Sequence, residues 1–489
     1  MMKNIVFMIS LFFYSSLAFA QPSPSSRALT ATDIYQSNGN QLVWFDKYGL
    51  TIQAVSFSLL MDDLGVDIAK FLSSEQTDTQ LLMTYEKDQA YTRAAVYFLN
   101  TVNASNGGVD LFTEIHFIDM AKKNSFSSFI SSLSPPYDEV SRLREMIRHY
   151  KTLARKPWPG IEGMTFRLGQ SNNNILQLRQ RLVELGDIDP PESSQPSQPS
   201  QHRAAIYDPS LIEGIKNFQK RHGIAENGKL DEVTINLLNV LPRKRVELMQ
   251  LNLWRWFKLP NELPSRYLRI NIPSFELKLL ENEHKVLTMK VIVGKPKTPT
   301  PTMTTTLTQI TVNPSWTPPW SIVSKELIPL NDKQPGYLSH QDFKLRRLDD
   351  FSLIALDKIN SKKLASLLTN HQLIQLPGAK NALGRYRFRI PNNSAIYLHD
   401  TPTKSFFSYP NRAMSHGCIR LENPQGLSDY LMQGDNRMSK LRRAVNEKST
   451  QSYKVGQPLP VFITYHTTWV DERGKLQLRD DIYRRDSEG

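Results

Sequence analysis

The sequence predicts a multidomain α+β protein: a mainly helical scaffold, a small three-helix module, and a β-rich domain carrying an inserted lid. Three observations predict it. A chain of 489 residues is longer than one hydrophobic core normally fills. Apolar residues recur every three or four positions up to about residue 260, the period of a helix face. From Tyr267 the period drops to two, the period of half-buried strands. With 40% hydrophobic and 22% charged residues, the composition is that of ordinary globular protein and excludes wholesale disorder.

The elements follow in order. Lys3 precedes an apolar run from Ile5 to Leu17, closed by Ala18-Phe19-Ala20. A short apolar region ending in a small-x-small site predicts a secretory signal peptide over residues 1–20. The run is short for a bilayer span of about 20 residues. Residues 21–30 read as a flexible Pro/Ser-rich leader. Residues 31–162 form the first part of the scaffold, and Val140, Leu143, Ile147 and Tyr150 predict a helix over Val140–Leu153.

Residues 163–240 read as the small module. Ile175, Leu178, Leu182 and Leu185 give one apolar stripe, closed by Gly186. Leu211, Ile215 and Phe218 give a second, ended at His222-Gly223. Asp231 opens a third helix carrying Val233 and Leu237. Between the first two lies a Pro/Ser/Gln loop, 190–201, whose composition cannot build a core and predicts disorder. Residues 241–262 read as a helix with Trp254 and Trp256 that returns to the scaffold, which makes the module an insertion.

The β-rich domain is expected over 263–465. Leu268, Ile270 and Ile272 alternate with Arg269 and Asn271; Phe275, Leu277 and Leu279 alternate with Glu276 and Lys278; Met289, Val291 and Val293 follow. These read as half-buried antiparallel strands. Tyr386, Phe388 and Ile390 alternate with arginines. Residues 321–376 interrupt the pattern, with helical spacing around Leu353 to Leu368, and read as a lid. Val461–Tyr465 and Trp469–Leu478 read as a closing hairpin around Arg473-Gly474, with residues 466–489 as hairpin and tail.

The formal net charge of +13 points to an anionic partner. Nucleic acid fits poorly, because the chain reads as exported and carries no nucleic-acid-binding signature. A bacterial wall or membrane surface fits better. Cys418 is the single cysteine, so it has no partner for an internal disulfide, and a reactive role outweighs an inert buried one only because of its neighbours. Gly417 before it lets a substrate approach the backbone. Asn423-Pro424 after it start a helix. Cys418 is therefore expected just before a strand-to-helix turn, with backbone N–H groups aimed at an oxyanion. A free thiol has a pKa near about 8.5, so it needs a base. His416, two residues away, and His399, at the end of its own strand, are both candidates, and spacing does not choose between them. No His, Asp or Cys spacing predicts a metal site.

On these residues the chain resembles the YkuD-type L,D-transpeptidases. Their motif is a histidine, about fifteen residues, then Ser/Thr-His-Gly-Cys, a hydrophobic residue and Arg; His399, Ser415, His416, Gly417, Cys418, Ile419 and Arg420 fit it one by one. Residues 266–301 and the ending from Thr464 resemble the long Gram-negative members. Leu176–Gly186, Asp208, Ile215–Gly223, Gly228 and Thr234 resemble the peptidoglycan-binding type 1 module, with 190–201 as an added loop.

The resemblance implies Cys418 as nucleophile and His399 as general base. It implies the Asp400 carbonyl orienting the imidazole, although many members have Gly after the histidine. Gly417 and Cys418 N–H groups would form the oxyanion hole, lined by His416, with Arg420 bracing the loop. Arg420, Ser415, Tyr397 and Trp316 are the substrate-side candidates. The implied reaction makes 3→3 cross-links in periplasmic peptidoglycan through a thioester, with loss of D-Ala from tetrapeptide stems. The implied partners are stem peptides and glycan strands, and the implied inhibitors are carbapenem-type β-lactams; no cofactor is implied. A wall peptide carboxypeptidase or endopeptidase using the same Cys/His pair is the alternative enzyme. A wall-binding structural protein is the alternative from another class.

Overall fold

The computed structural model describes residues 30–487, apart from 73–79, 106–113, 164–165, 190–204, 261–263, 358, 360 and 448. The expected signal peptide, nearly all of the leader and the 190–201 loop lie outside these residues. No helix among the described residues is long and apolar enough to cross a membrane.

The chain divides into two compact units. The first, ending at Ser132, is helical and includes Ala31–Ser37, Gln80–Ser105 and Phe126–Ser132. Its polar centre is the fully buried Asp88, whose carboxylate accepts the Trp44 N–H at 2.7 Å and also bonds the Tyr35 hydroxyl. A buried carboxylate is tolerated where donors converge on it in this way. The expected scaffold of 31–162 is therefore split: residues from 133 onward belong to the second unit.

In the second unit, helix Asp138–Leu153 packs against Pro242–Trp256, the return helix. Between them in sequence lie Asn173–Glu184, Pro209–Arg221 and Glu232–Leu238. Each opens on an Asn or Asp that accepts a backbone N–H: Asn172, Asp208 and Asp231. The third helix buries Thr234 and Leu238, and Val233 is exposed. The expected face was one residue out, because Gln219 draws Thr234 inward; its amide donates to Thr234 Oγ1 at 3.1 Å and to the Lys229 carbonyl at 2.9 Å.

The β-rich part is a nine-stranded sheet among the described residues. Its strands are β1 (Arg266–Asn271), β2 (Glu276–Glu281), β3 (His284–Gly294), β4 (Met303–Val312), β5 (Tyr386–Arg389), β6 (Leu398–His399), β7 (Ala413–Ser415), β8 (Ile419–Leu421) and β9 (Gln451–Thr464). Their order is β7-β3-β8-β6-β5-β4-β9-β1-β2, and β2 also pairs with β3, so the order returns on itself. Strands β1, β2 and β3 are antiparallel as expected, but β1–β9, β6–β8 and β3–β7 are parallel. Alternation in β1 is weaker than expected. Arg269 is buried, held by Glu139 at 2.5 Å. Val461 pairs with Leu268 inside the sheet, so the closing hairpin is only Thr468–Val470 with Leu476–Leu478.

The insertion leaves the sheet after Val312 and returns at Tyr386. It has its own core of Val323, Leu327, Leu338, Phe343, Leu345 and Leu373. Phe343–Arg347 lies between Leu353–Ile354 and His371–Gln375 in a three-stranded sheet. The helix expected around Leu353–Leu368 shrinks to Ser361–Leu367, because Leu353 and Ile354 pair with Arg346 and Leu345. Val323–Leu327 is a π-helical turn just ahead of Pro329. A proline inside a continuing helix removes one hydrogen bond, and a widened turn accommodates the loss.

Candidate active site

The site is a matter of register. In β6, Leu398 pairs with Phe388 of β5 and Ile419 of β8; His399 pairs with Arg387 and Arg420. Phe388, Leu398 and Ile419 are fully buried in the core. Side chains alternate across a sheet, so Arg387, His399 and Arg420 form a row on the opposite face. One step along, Tyr397 lies beside Cys418: its carbonyl accepts the Ile419 N–H at 3.1 Å, and its phenol faces the thiol. Positions i and i+2 share a face, which places Cys418 diagonally across from His399, within side-chain reach. The Cys418 thiol is half-buried and directed toward the Ala395 carbonyl at 3.8 Å.

Cys418 precedes β8 rather than a helix; Asn423-Pro424 start their helix only after that strand. The expected strand-to-helix turn is instead a tight bend between β7 and β8. Gly417 in it has φ +114°, a conformation that other residues rarely adopt. Its N–H donates to Ser415 Oγ at 3.1 Å, so this expected oxyanion donor is engaged within the loop. Ser415 is buried and donates to the Cys418 carbonyl at 2.6 Å. It braces the bend and does not face a substrate, contrary to its expected place. Thr300 adds a second brace, donating to the Gly417 carbonyl at 2.7 Å and accepting the Gly294 N–H at 2.9 Å.

His399 is 5% exposed, and its Nδ1 lies 2.5 Å from the Asp400 carbonyl. A carbonyl only accepts, so Nδ1 carries the proton and Nε2 is left basic. The Asp400 carboxylate accepts from the Arg385 and Thr401 N–H groups and from Lys404 Nζ, at 2.8, 2.7 and 2.7 Å. This net holds the turn after the imidazole. Burial, and after it the Arg420 charge, hold His399 down at about 3. Burial pushes the Cys418 thiol up, against hydrogen bonds from Tyr397 and the Arg420 charge. Both shifts favour the neutral form of each group.

His416 does not line the bend. Its Nε2 meets Glu326 of the π-helical turn at 2.6 Å, with Lys295 Nζ 3.4 Å away. Trp316 pairs with Gln375 and packs on the insertion's core, while its indole also reaches the Tyr397 phenol. It joins the insertion to the site. Glu326, Lys295, Thr300 and Arg387 were not singled out from sequence. Only Arg387 had a visible signal: the arginines alternating through β5.

Residues 265–448 match the family model of the YkuD, L,D-transpeptidase catalytic domain. Residues 171–238 match the family described as "Putative peptidoglycan binding domain". The stretch matching the L,D-transpeptidase catalytic domain thus contains every residue of this site. A Haemophilus influenzae protein described as "Putative L,D-transpeptidase" is 32% identical over 222 residues, 44% of this chain and 44% of that protein. The matched stretch therefore spans less than half of the relative. Among solved structures, an L,D-transpeptidase from Mycobacterium smegmatis is 15% identical, covering 41% of this chain and 58% of that one, with a TM-score of 0.20. One from Stackebrandtia nassauensis is 13% identical, covering 62% and 95%, with a TM-score of 0.23. An L,D-transpeptidase structure in complex with imipenem is 16% identical, covering 41% and 59%, with a TM-score of 0.19.

Proposed function

We propose that the protein is a periplasmic L,D-transpeptidase that makes 3→3 cross-links through a thioester on Cys418. The observation that carries this reading is the register of β6 with β8, which sets the thiol diagonal to a neutral imidazole. Cys418 Sγ attacks the carbonyl carbon of the third stem residue. The C–S bond forms as His399 Nε2 takes the thiol proton. The C–N bond to D-Ala breaks, and the same proton leaves on its amine. The side-chain amine of a second stem peptide then attacks the thioester. A C–N bond forms, the C–S bond breaks, and His399 returns the amine's proton to sulfur. No thiolate is stored at rest, so proton transfer accompanies attack, and the nearby Arg420 charge favours the developing anion. The Cys418 N–H is the remaining oxyanion donor in the bend.

The insertion excludes water that would hydrolyse the thioester. The 171–238 module binds the wall, and carbapenems acylate Cys418. Mass spectrometry of tetrapeptide muropeptides incubated with the protein and with Cys418→Ala tests the reaction. Dimers lacking D-Ala are expected from the first protein alone. Monomeric tripeptide would make it a carboxypeptidase, and identical spectra would leave a non-catalytic wall protein.

A further inference from the structure

We propose that Arg387 and Arg420 form a carboxylate clamp that reads the terminal α-carboxylate of the peptide donor. This inference rests on the transpeptidase reading and names what the site selects. The register Arg387–His399–Arg420 puts one guanidinium on each side of the imidazole, on the face that carries Cys418. Two other cations close to the site are already used. Lys404 donates to Asp400 and to the Leu421 and Glu422 carbonyls. Lys295 lies 3.8 Å from Glu326.

Arg387 and Arg420 differ from both. Among the described residues, neither guanidinium has a carboxylate partner, and Nε of Arg420 is buried without a hydrogen bond. A half-buried guanidinium without a counterion is costly unless an anion arrives to meet it. Arginine's planar fork suits a carboxylate in particular.

The chemistry selects which carboxylate. His399 must deliver a proton to the leaving amine, so that nitrogen lies at Nε2. The α-carboxylate of the leaving residue is two bonds from the same nitrogen. A cation on either side of His399 therefore faces that group and no other acid of the stem so directly. The site accordingly demands a donor ending in a free amino-acid carboxylate, and it discharges that residue as the leaving group.

The test uses the full-length Cys418→Ala protein, which binds without turnover, and two probes: a tetrapeptide stem with a free C-terminus and the same peptide as its C-terminal amide. Isothermal titration should show the amide binding roughly ten- to a hundredfold more weakly. The preference should collapse to about twofold when Arg387→Met is added, and Arg420→Lys should retain part of it. A structural role alone would weaken both peptides alike and leave their ratio intact. Equal affinities in Cys418→Ala, failure of both peptides to bind, or a ratio that survives Arg387→Met with Arg420→Met would overturn the clamp. Intact-mass analysis of the unsubstituted protein separates the two readings. A persisting acid/amide ratio with no Cys418 adduct removes the transpeptidase and leaves the clamp.

Discussion

The three-helix module and the face around Cys418 treat polar groups in opposite ways. In the module, most of the motif's polar residues satisfy one another, although Nε2 of His222 is buried without a hydrogen bond. Gln219 binds Asn227, Lys229, Gly228 and Thr234, Asp231 caps Thr234, and Arg221 grips Asp187 at 2.6 Å with both side chains almost wholly buried. Around Cys418, the polar groups are held in place but left open: His399 keeps a basic nitrogen, and Arg387 and Arg420 have no acid partner among the described residues. A polar group consumed by its own fold stabilises; one positioned and left unsatisfied is available to a ligand.

Substitutions should separate the two regimes. The largest effect is expected from His399→Gln, which should slow acylation of Cys418 by roughly 10²- to 10⁴-fold, read by intact mass against time, with little change in melting temperature. Asp187→Ala leaves Arg221 buried without its partner and should cost about 3–5 kcal/mol in chemical denaturation. Acylation by the protein that remains folded should be unchanged. If that rate falls as well, the two regions are not separate. Gly417→Ala lies between the regimes: forcing a side chain into φ +114° should cost about 1–3 kcal/mol and misalign the thiol, so activity should fall more than stability.

Acid should act on both regions together. Burial depresses His399, and holds His222 and His466 well below 6.5. Below pH 6.5 the unfolded chain takes up protons that these imidazoles refuse while folded, so stability should fall as pH falls, for His399 down to about 3. A melting temperature unchanged between pH 7 and 4 would contradict this. The smallest effect is expected from Tyr483→Phe, about 1 kcal/mol, seen as a modest loss of acylation rate.

Much of the fold was legible because it is written locally. The 138–153, 173–184 and 209–221 helices follow from their apolar stripes, and β1 to β3 from their period of two. The insertion was readable as an interruption, but not its internal sheet, since Leu353 and Ile354 become a strand only through pairing with residues 345 and 346. The Cys418 bend was recognisable by motif. Its wiring was not, because short side chains such as Ser415 and Thr300 declare no partner in sequence. Arg269 looked solvent-facing for the same reason: the helix that covers it lies more than a hundred residues away.

The Tyr483 hydroxyl donates to the Gly294 carbonyl at 2.6 Å and accepts the Thr300 N–H at 3.1 Å, and Thr300 in turn holds Gly417. The bend that presents the sulfur is thus propped by a side chain reached only 65 positions later in the chain. During synthesis the thiol exists well before its support does. A product truncated ahead of position 483 would carry Cys418, His399 and both arginines, yet lack the prop that keeps them in step.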